Sequence, residues 1–296
     1  MTKTHRAGFI SIVGKPNVGK STLMNQLVGE KLSIITSKAQ TTSHRIMGIV
    51  NGEMDGDEFQ LVYSDTPGII KPMYALHNTM MEFVHGSLED ADVVLFVTDI
   101  FEKYDEEDVI QKLGKSDAPL LLIINKIDLA TQEEIEEKIE HWKTVLNPRE
   151  ILSISALNNI GVDGLFETIV KLLPVHPPYF PKDALTDKPE RFFAAELLRE
   201  KIFTNYKKEI PYSCEVVVTE FKEEEDIIRI YAEIYVERPS QRAILLGHKG
   251  ERLKKVGTEA REGMEAFFEK KIFLQQYIKV EPDWRLKRDK IKRFGY

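Results

Sequence analysis

GFISIVGKPNVGKSTLMNQL, residues 8–27, says the most about how the first half of this chain folds. It is a short apolar strand, then Gly14-Lys15-Pro16-Asn17-Val18-Gly19-Lys20-Ser21, then a helix opening at Lys20. The loop fits G-x-x-x-x-G-K-[S/T], and it sits between a strand and a helix, the context that pattern requires. Gly14 and Gly19 let the chain curl so that its N–H groups face phosphate oxygens, and the helix adds its positive N-terminal end. Lys20 is expected at the β- and γ-phosphates of a nucleotide, with the Ser21 hydroxyl on Mg2+.

Working outward, short apolar runs alternate with helix-length segments to about residue 172. Strands are expected at Gly8–Val13, Arg45–Asn51, Phe59–Ser64, Val93–Thr98, Pro119–Asn125 and Glu150–Ile154. Helices are expected at Lys20–Gly29, Leu76–Glu89, Asp105–Lys115, Glu133–Val145 and Val162–Leu172. This rhythm predicts an α/β, doubly wound sheet of the P-loop NTPase type covered on both faces. Asp55-Gly56, between two strand-like runs, predicts a hairpin and so one antiparallel edge strand in a mixed sheet.

Two further motifs follow strands in this alternation. Asp65-Thr66-Pro67-Gly68 places a carboxylate where it can hold Mg2+ and a glycine whose N–H can approach the γ-phosphate without a side-chain clash. Asn125-Lys126-Ile127-Asp128 offers the two acceptor oxygens of Asp128 to the adjacent N1–H and 2-amino donors of guanine, which adenine lacks. Lys126 is expected to lie along the base, and Asn125 to tie this loop to the phosphate loop. After the next strand, a backbone N–H of Ser155-Ala156 is expected to meet guanine O6. In the polar stretch 37–42, Thr42 is preferred to Thr41 as the residue completing the Mg2+ shell. The nucleotide is therefore GTP or GDP, and Lys20, Thr42 and Asn17 are the expected catalytic set. Asn17 enters because its amide oxygen can help seat a K+ ion beside the phosphates. Ile69 and Ile70 follow Gly68, so no side chain there can orient the attacking water, and slow intrinsic turnover raised by a partner is expected.

Residues 174–189 carry prolines at 174, 177, 178, 181 and 189 and read as a linker between domains 1–173 and 190–296. Beyond it the order becomes helix (191–207), strands (213–221 and 227–236), short helix (241–246), helix (251 to about 270), strand (273–280) and a basic tail, a smaller α+β module. The charge is unevenly shared. Residues 1–180 hold 16 Lys/Arg against 26 Asp/Glu, while residues 238–255 hold six basic residues and one acid. A polyanion partner is thus expected for the second part and not for the first. Gly247-His248-Lys249-Gly250 joins two helices within that basic stretch. With Arg238, Arg242, Arg252, Lys254 and Lys255 it predicts a KH-type RNA clamp. The tail from Trp284 to Arg293 reads equally as RNA-facing or as a solvated helix. The single cysteine, Cys214, falls in a strand pattern and reads as core. No apolar run approaches the roughly 18 residues of a membrane helix, and residues 2–7 show no signal-peptide pattern. Rival readings are a GTPase with a protein- or membrane-directed second domain, and a metabolic kinase sharing the phosphate loop.

With GKPNVGKS at 14–21, KAQTTSHRI at 38–46, DTPG at 65–68, NKID at 125–128, ISA at 154–156 and GHKG at 247–250, the chain resembles the Era family. These are bacterial GTPases with a C-terminal type II KH domain, within the TrmE-Era-EngA-like superfamily. Ser43 stands where such sequences commonly have arginine. The resemblance implies binding near the 3′ end of 16S rRNA during assembly of the 30S subunit. It also implies GTP-dependent switching and a cytoplasmic protein peripherally associated with the inner membrane. A monomer is expected.

Overall fold

The computed structural model describes residues 4–102, 113 and 117–296; apart from Leu113, the helix expected at Asp105–Lys115 lies outside the described residues. The chain forms two units. Unit 1 comprises residues 1–33, 42–71 and 80–187; unit 2 comprises 34–41, 72–79 and 188–296.

Unit 1 holds a six-stranded sheet in the order β2-β3-β1-β4-β5-β6. Its strands are β1 (His5–Val13), β2 (Ile46–Met54), β3 (Asp57–Asp65), β4 (Val93–Asp99), β5 (Leu120–Asn125) and β6 (Glu150–Ser153). All neighbours are parallel except β2 and β3, which form the expected antiparallel hairpin around Asp55-Gly56 and leave β2 at the edge. The helices are α1 (Lys20–Val28), α2 (Ala75–Glu89), α3 (Gln132–Val145) and α4 (Val162–Leu172). β4 is buried along its whole length, as a central parallel strand covered on both faces must be. Trp142 of α3 is fully buried, edge-on to Phe96 of β4. α3 begins with a reciprocal cap: Thr131 N–H donates to Glu134 Oε2 (2.8 Å), and Glu134 N–H to Thr131 Oγ1 (3.3 Å).

Residues 174–187, read from their prolines as a linker, are instead strapped onto unit 1. Ala7 N–H donates to the Pro174 carbonyl (3.2 Å), and Ile49 N–H of edge strand β2 to the Leu185 carbonyl (2.8 Å). The fully buried Gln60 accepts from Tyr179 and Phe180 N–H and donates to the Phe180 carbonyl. Proline removes donors but leaves every carbonyl, so a proline-rich segment can still dock along a strand.

Unit 2 has the three-stranded sheet β7 (Glu215–Glu223), β8 (Ile227–Val236) and β9 (Lys271–Val280). β7 is antiparallel and β9 parallel to the central β8. Its helices are α5 (Glu190–Asn205), α6 (Ile210–Ser213), α7 (Pro239–Leu246), α8 (Glu251–Phe268) and α9 (Arg288–Arg293). Ile228, Ile230, Ala232 and Ile234 alternate along one face of β8 and join Leu198, Ile202, Val256, Ala260 and Met264 in one core. Cys214 is buried there, as expected. Segment 34–41 belongs to this unit because Lys38 Nζ donates to the carbonyls of Phe203 and Tyr206, and the buried Arg199 donates to the Thr41 carbonyl.

The basic tail keeps most of its charged side chains in solvent but is anchored by three buried apolar residues, Trp284, Ile291 and Phe294. Trp284 is 1% exposed and donates to the Ser213 carbonyl (3.2 Å). Phe294 packs on both Trp284 and Tyr235, and the Tyr296 hydroxyl donates to Glu215. The reading by charge passed over the apolar spacing of Trp284, Ile291 and Phe294.

Candidate nucleotide and RNA sites

The phosphate loop lies between β1 and α1, and its glycines are dictated by contact. A Cβ on Gly14 (φ 152°) would sit 2.1 Å from the Val97 carbonyl oxygen, and one on Gly19 (φ 100°) 2.2 Å from Asn125 Nδ2. Gly68 approaches as closely: its Cβ would stand 2.7 Å from the Pro16 backbone nitrogen. The N–H of Ile69 then donates to the Gly14 carbonyl (2.9 Å), and its side chain is buried. Residues 65–69 are thereby drawn against the cradle by backbone groups.

Lys20 is 6% exposed and donates to the Lys15 carbonyl (2.8 Å). Burial lowers its pKa to about 8, against the opposing pull of Asp65 and Glu102. Beside it Ser21 Oγ and Thr42 Oγ1 are 2.9 Å apart. Thr41 turns elsewhere, donating to the Lys38 carbonyl (2.8 Å), so Thr42 is the threonine that meets Ser21. Asp65 is fully buried, which pushes its carboxyl pKa up; the nearby Ser21 hydroxyl, the charge of Lys20 and the hydrogen bond from Ser33 oppose this. Its Oδ2 accepts from Ser33 (2.8 Å), while Oδ1 is buried with no hydrogen-bond partner. A buried carboxylate oxygen without a partner, next to two hydroxyls, fits an Mg2+ ion. The Thr66 side chain does not face that position; it donates to the Ile12 carbonyl (2.8 Å) and fastens β3 to β1.

The base-reading loop is framed as expected by Asn125, whose Nδ2 donates to the Val18 carbonyl (2.8 Å). Its Oδ1 accepts the Ala156 N–H (2.9 Å), and the Ser155 N–H goes to the Ile160 carbonyl (3.0 Å). The two amides expected to meet guanine O6 are therefore both engaged in framing the loop. Lys126 adopts a left-handed conformation (φ 65°), as does Asn17 (φ 66°), and Lys126 Nζ donates to the Asn17 carbonyl (2.7 Å). Asp128 is exposed at the loop surface, open to a base.

Two acidic residues were missed in the sequence. Asp99, at the end of β4, pairs with Lys126 at 2.5 Å and accepts the N–H groups of Phe101 and Glu102. Glu102 pairs with Lys15 at 2.9 Å. Asp99 has a signal in the sequence, a carboxylate at the C-terminal end of a buried strand, the position that marks Asp65; Glu102, in the loop beyond, has none.

In unit 2 the Gly247–Gly250 turn is exposed or half-buried at every residue. Gly247 has φ 69°, Lys249 φ 48° and Gly250 φ 83°. Three residues of the four at positive φ make a turn that opens directly into α8, whose N-terminal N–H groups favour phosphate. Arg242, His248, Lys249, Arg252, Lys254 and Lys255 are all exposed around it. Arg238 caps α7, where Gln241 Oε1 accepts the N–H groups of Glu237 and Arg238 (both 2.9 Å).

Comparison with known proteins agrees with this division. Residues 9–126 match the family described as 50S ribosome-binding GTPase, and residues 209–285 match the KH domain. GTPase Era of Geotalea uraniireducens is 43% identical, over 99% of each chain. The chloroplastic GTPase ERA1 of Zea mays is 44% identical over 99% of this chain and 71% of its own length. A solved structure of Era with MgGDPNP and nucleotides 1506–1542 of 16S ribosomal RNA superposes with TM-score 0.93 at 38% identity, covering 99% of both chains. A tyrosine-to-alanine variant of Aquifex aeolicus Era bound to GDP and AlF4− gives TM-score 0.93 at 39% identity, covering 98% of this chain and 99% of that one.

Proposed function

The chain belongs to the Era GTPase family, and from that premise we propose that unit 1 binds GTP and GDP with Mg2+ and hydrolyses GTP, while unit 2 binds 16S rRNA. The observation that carries the nucleotide half is the convergence of Ser21 Oγ, Thr42 Oγ1 and the partnerless Asp65 Oδ1 beside a cradle too tight for any Cβ at Gly14 or Gly19. Ser21, Thr42 and Asp65 would hold the metal, which would supply positive charge to the nucleotide's phosphates. Lys20 gives up its bond to the Lys15 carbonyl for the phosphate oxygens, and their charge raises its pKa again. The backbone of 14–21 and the Gly68 N–H surround the γ-phosphate; Asp128 reads the base, with Lys126 held along it by Asp99 and Asn17.

Water attack in line on the γ-phosphorus needs a group to orient the water. Ile69 is turned into the protein and offers none. Intrinsic turnover is therefore slow, and a bound partner accelerates it. Asn17 in its left-handed pose would help seat a K+ ion; equal hydrolysis rates in K+ and Na+ would remove that part of the reading. Rise and fall of the γ-phosphate sets how segments 33–44 and 66–75 are held, and with them RNA access. The protein acts in assembly of the 30S subunit in the cytoplasm, as a monomer with peripheral attachment to the inner membrane. Among the described residues no helix is long and apolar enough to cross a membrane.

Titration calorimetry with Mg2+ tests the nucleotide half: GTP and GDP bind, ATP does not, and chelating the metal weakens GTP. Equal heats for GTP and ATP would refute it. RNA affinity that falls steeply with salt separates this reading from a protein-directed second unit.

A further inference from the structure

α5 ends and α6 begins through the turn Tyr206-Lys207-Lys208-Glu209, with Lys208 left-handed (φ 56°). This turn faces Ile244 of α7 and Arg252 and Lys255 of α8 across a recess of about 530 Å3. The Tyr206 hydroxyl donates to the Leu245 carbonyl (2.6 Å), which fixes the turn against α7.

The recess is separate from the side of α8 that meets the sheet edge. At 100° per residue, Arg252, Lys255 and Glu259 share one flank of α8. Val256, Ala260 and Met264 face the core, and Gly257 lies on the other flank, where its Cβ would touch Gln276 of β9. It is also continuous with the Gly247–Gly250 turn, since the Arg252 side chain fills the space a Cβ on Gly247 would take, 2.6 Å away.

Its charges are less paired than many others in unit 2. Elsewhere in unit 2, Lys222, Arg229, Arg261, Lys270, Lys279 and Arg285 each have a carboxylate at 3.1 Å or closer. Among the described residues, Lys207, Lys208 and Arg252 have none within salt-bridge distance, and Lys255 has only Glu259 at 3.6 Å. Glu259 is in turn held by Asn205 (2.6 Å). Glu209 and Glu259 border the recess, but three of its cations have no ion-pair partner, and such cations suit a polyanion that supplies one. The one aromatic ring, Tyr206, is buried with its hydroxyl engaged and offers no face for a base to stack on. Backbone phosphates, not bases, are what this surface can recognise.

We propose that this recess is a second phosphate-binding surface for RNA, on the flank of α8 away from β9, engaging the strand beyond the nucleotides held at Gly247–Gly250. The proposal rests on the reading that unit 2 binds RNA. Because it contacts phosphates alone, it adds affinity and salt dependence with little sequence preference.

The test is the full chain carrying Lys207→Gln and Lys208→Asn, asparagine being tolerant of the left-handed pose. Fluorescence anisotropy is read from 50 to 200 mM KCl on two probes. One is the 16S rRNA segment matching nucleotides 1506–1542; the other is a four-nucleotide piece that fills only the glycine-flanked turn. On the long RNA the variant should bind about tenfold more weakly at low salt, with the slope of log K against log salt reduced by about 1–2. Its affinity for the short piece should equal wild type. Lys207→Glu with Lys208→Glu should enlarge the loss on the long RNA alone. An unchanged slope on the long RNA overturns the proposal, as does an equal loss on both probes. So does loss of binding to phosphatidylserine vesicles with RNA affinity intact, which would assign the recess to a lipid surface. If wild type binds neither RNA, the reading of unit 2 itself fails.

Discussion

Lys20 is held where water scarcely reaches it, with only a backbone carbonyl for a direct partner. Its pKa is lowered to about 8 in the folded chain against 10.5 in an exposed lysine. The folded state therefore binds the proton less tightly than the unfolded one. The cost of the buried charge is felt in full below pH 8 and fades as pH rises from 8 to 10.5, so the nucleotide-free protein should gain stability across that window. Lys20→Met should abolish hydrolysis yet stabilise the nucleotide-free protein at pH 7 by about 2–3 kcal/mol, read as a raised midpoint in urea. A lower midpoint would mean the ammonium is better compensated than its contacts suggest. Asp128 is read the opposite way, from chemistry toward an absent base. Asp128→Asn should move preference from GTP toward XTP by at least about tenfold, because an amide N–H can donate to the 2-oxo group; competition against a fluorescent GDP analogue measures it. Unchanged preference would leave the base to be read by other groups. Both side chains were legible from motif and setting alone. The engagement of the Ser155 and Ala156 amides was not, because it depends on which strands lie side by side.

At the scale of elements, the strands and helices of unit 1 announced themselves by apolar run length, and the hairpin by Asp55-Gly56. The docked tail did not, because seven basic residues between 279 and 296 masked three apolar anchors. That tail bears on a buried network. Glu215 is 4% exposed, and burial raises its pKa to about 7, despite the nearby Arg199 guanidinium and the hydrogen bond from Tyr296; Glu196 adds to the rise. A carboxyl whose folded pKa lies above its unfolded value of 4.5 contributes stability that is complete below pH 4.5 and lost as pH climbs through 7. Glu215→Gln keeps an acceptor for the Tyr296 hydroxyl and removes the ionisation. It should flatten this component of the pH dependence and raise the thermal midpoint at pH 8 by a few degrees, with little change at pH 5. A variant that melts lower at pH 8 would show that Arg199 needs the Glu215 charge.

At the scale of the whole molecule, composition located the change of architecture but misjudged the chain that leads to it. Prolines and weak periodicity read as a linker over 174–189, whereas contacts divide the chain at Asp187–Lys188. Such a strap is invisible to periodicity because it docks through single backbone groups spaced by the strands it crosses. Its consequence can be measured by truncation. A chain ending at Asp187 keeps the Gln60 bonds to residues 179 and 180, the Phe9–Tyr179 ring contact and the cover over β2. A chain ending at Leu173 loses all of these and bares the edge of β2, an open template for another strand. At about 1 kcal/mol per hydrogen bond and about 2–4 °C per kcal/mol at this size, the shorter chain should melt roughly 5–10 °C lower. It should also aggregate at concentrations where the longer one stays monomeric by light scattering. GDP should bind both, since Gly14–Ser21, Asp65–Gly68 and Asn125–Asp128 are common to them, but segments 34–41 and 72–79, which pack with unit 2, should exchange amide hydrogens faster in both than in the full chain. Equal melting of the two truncations would mean that the strap follows the sheet without supporting it, and the domain would then end where the prolines begin.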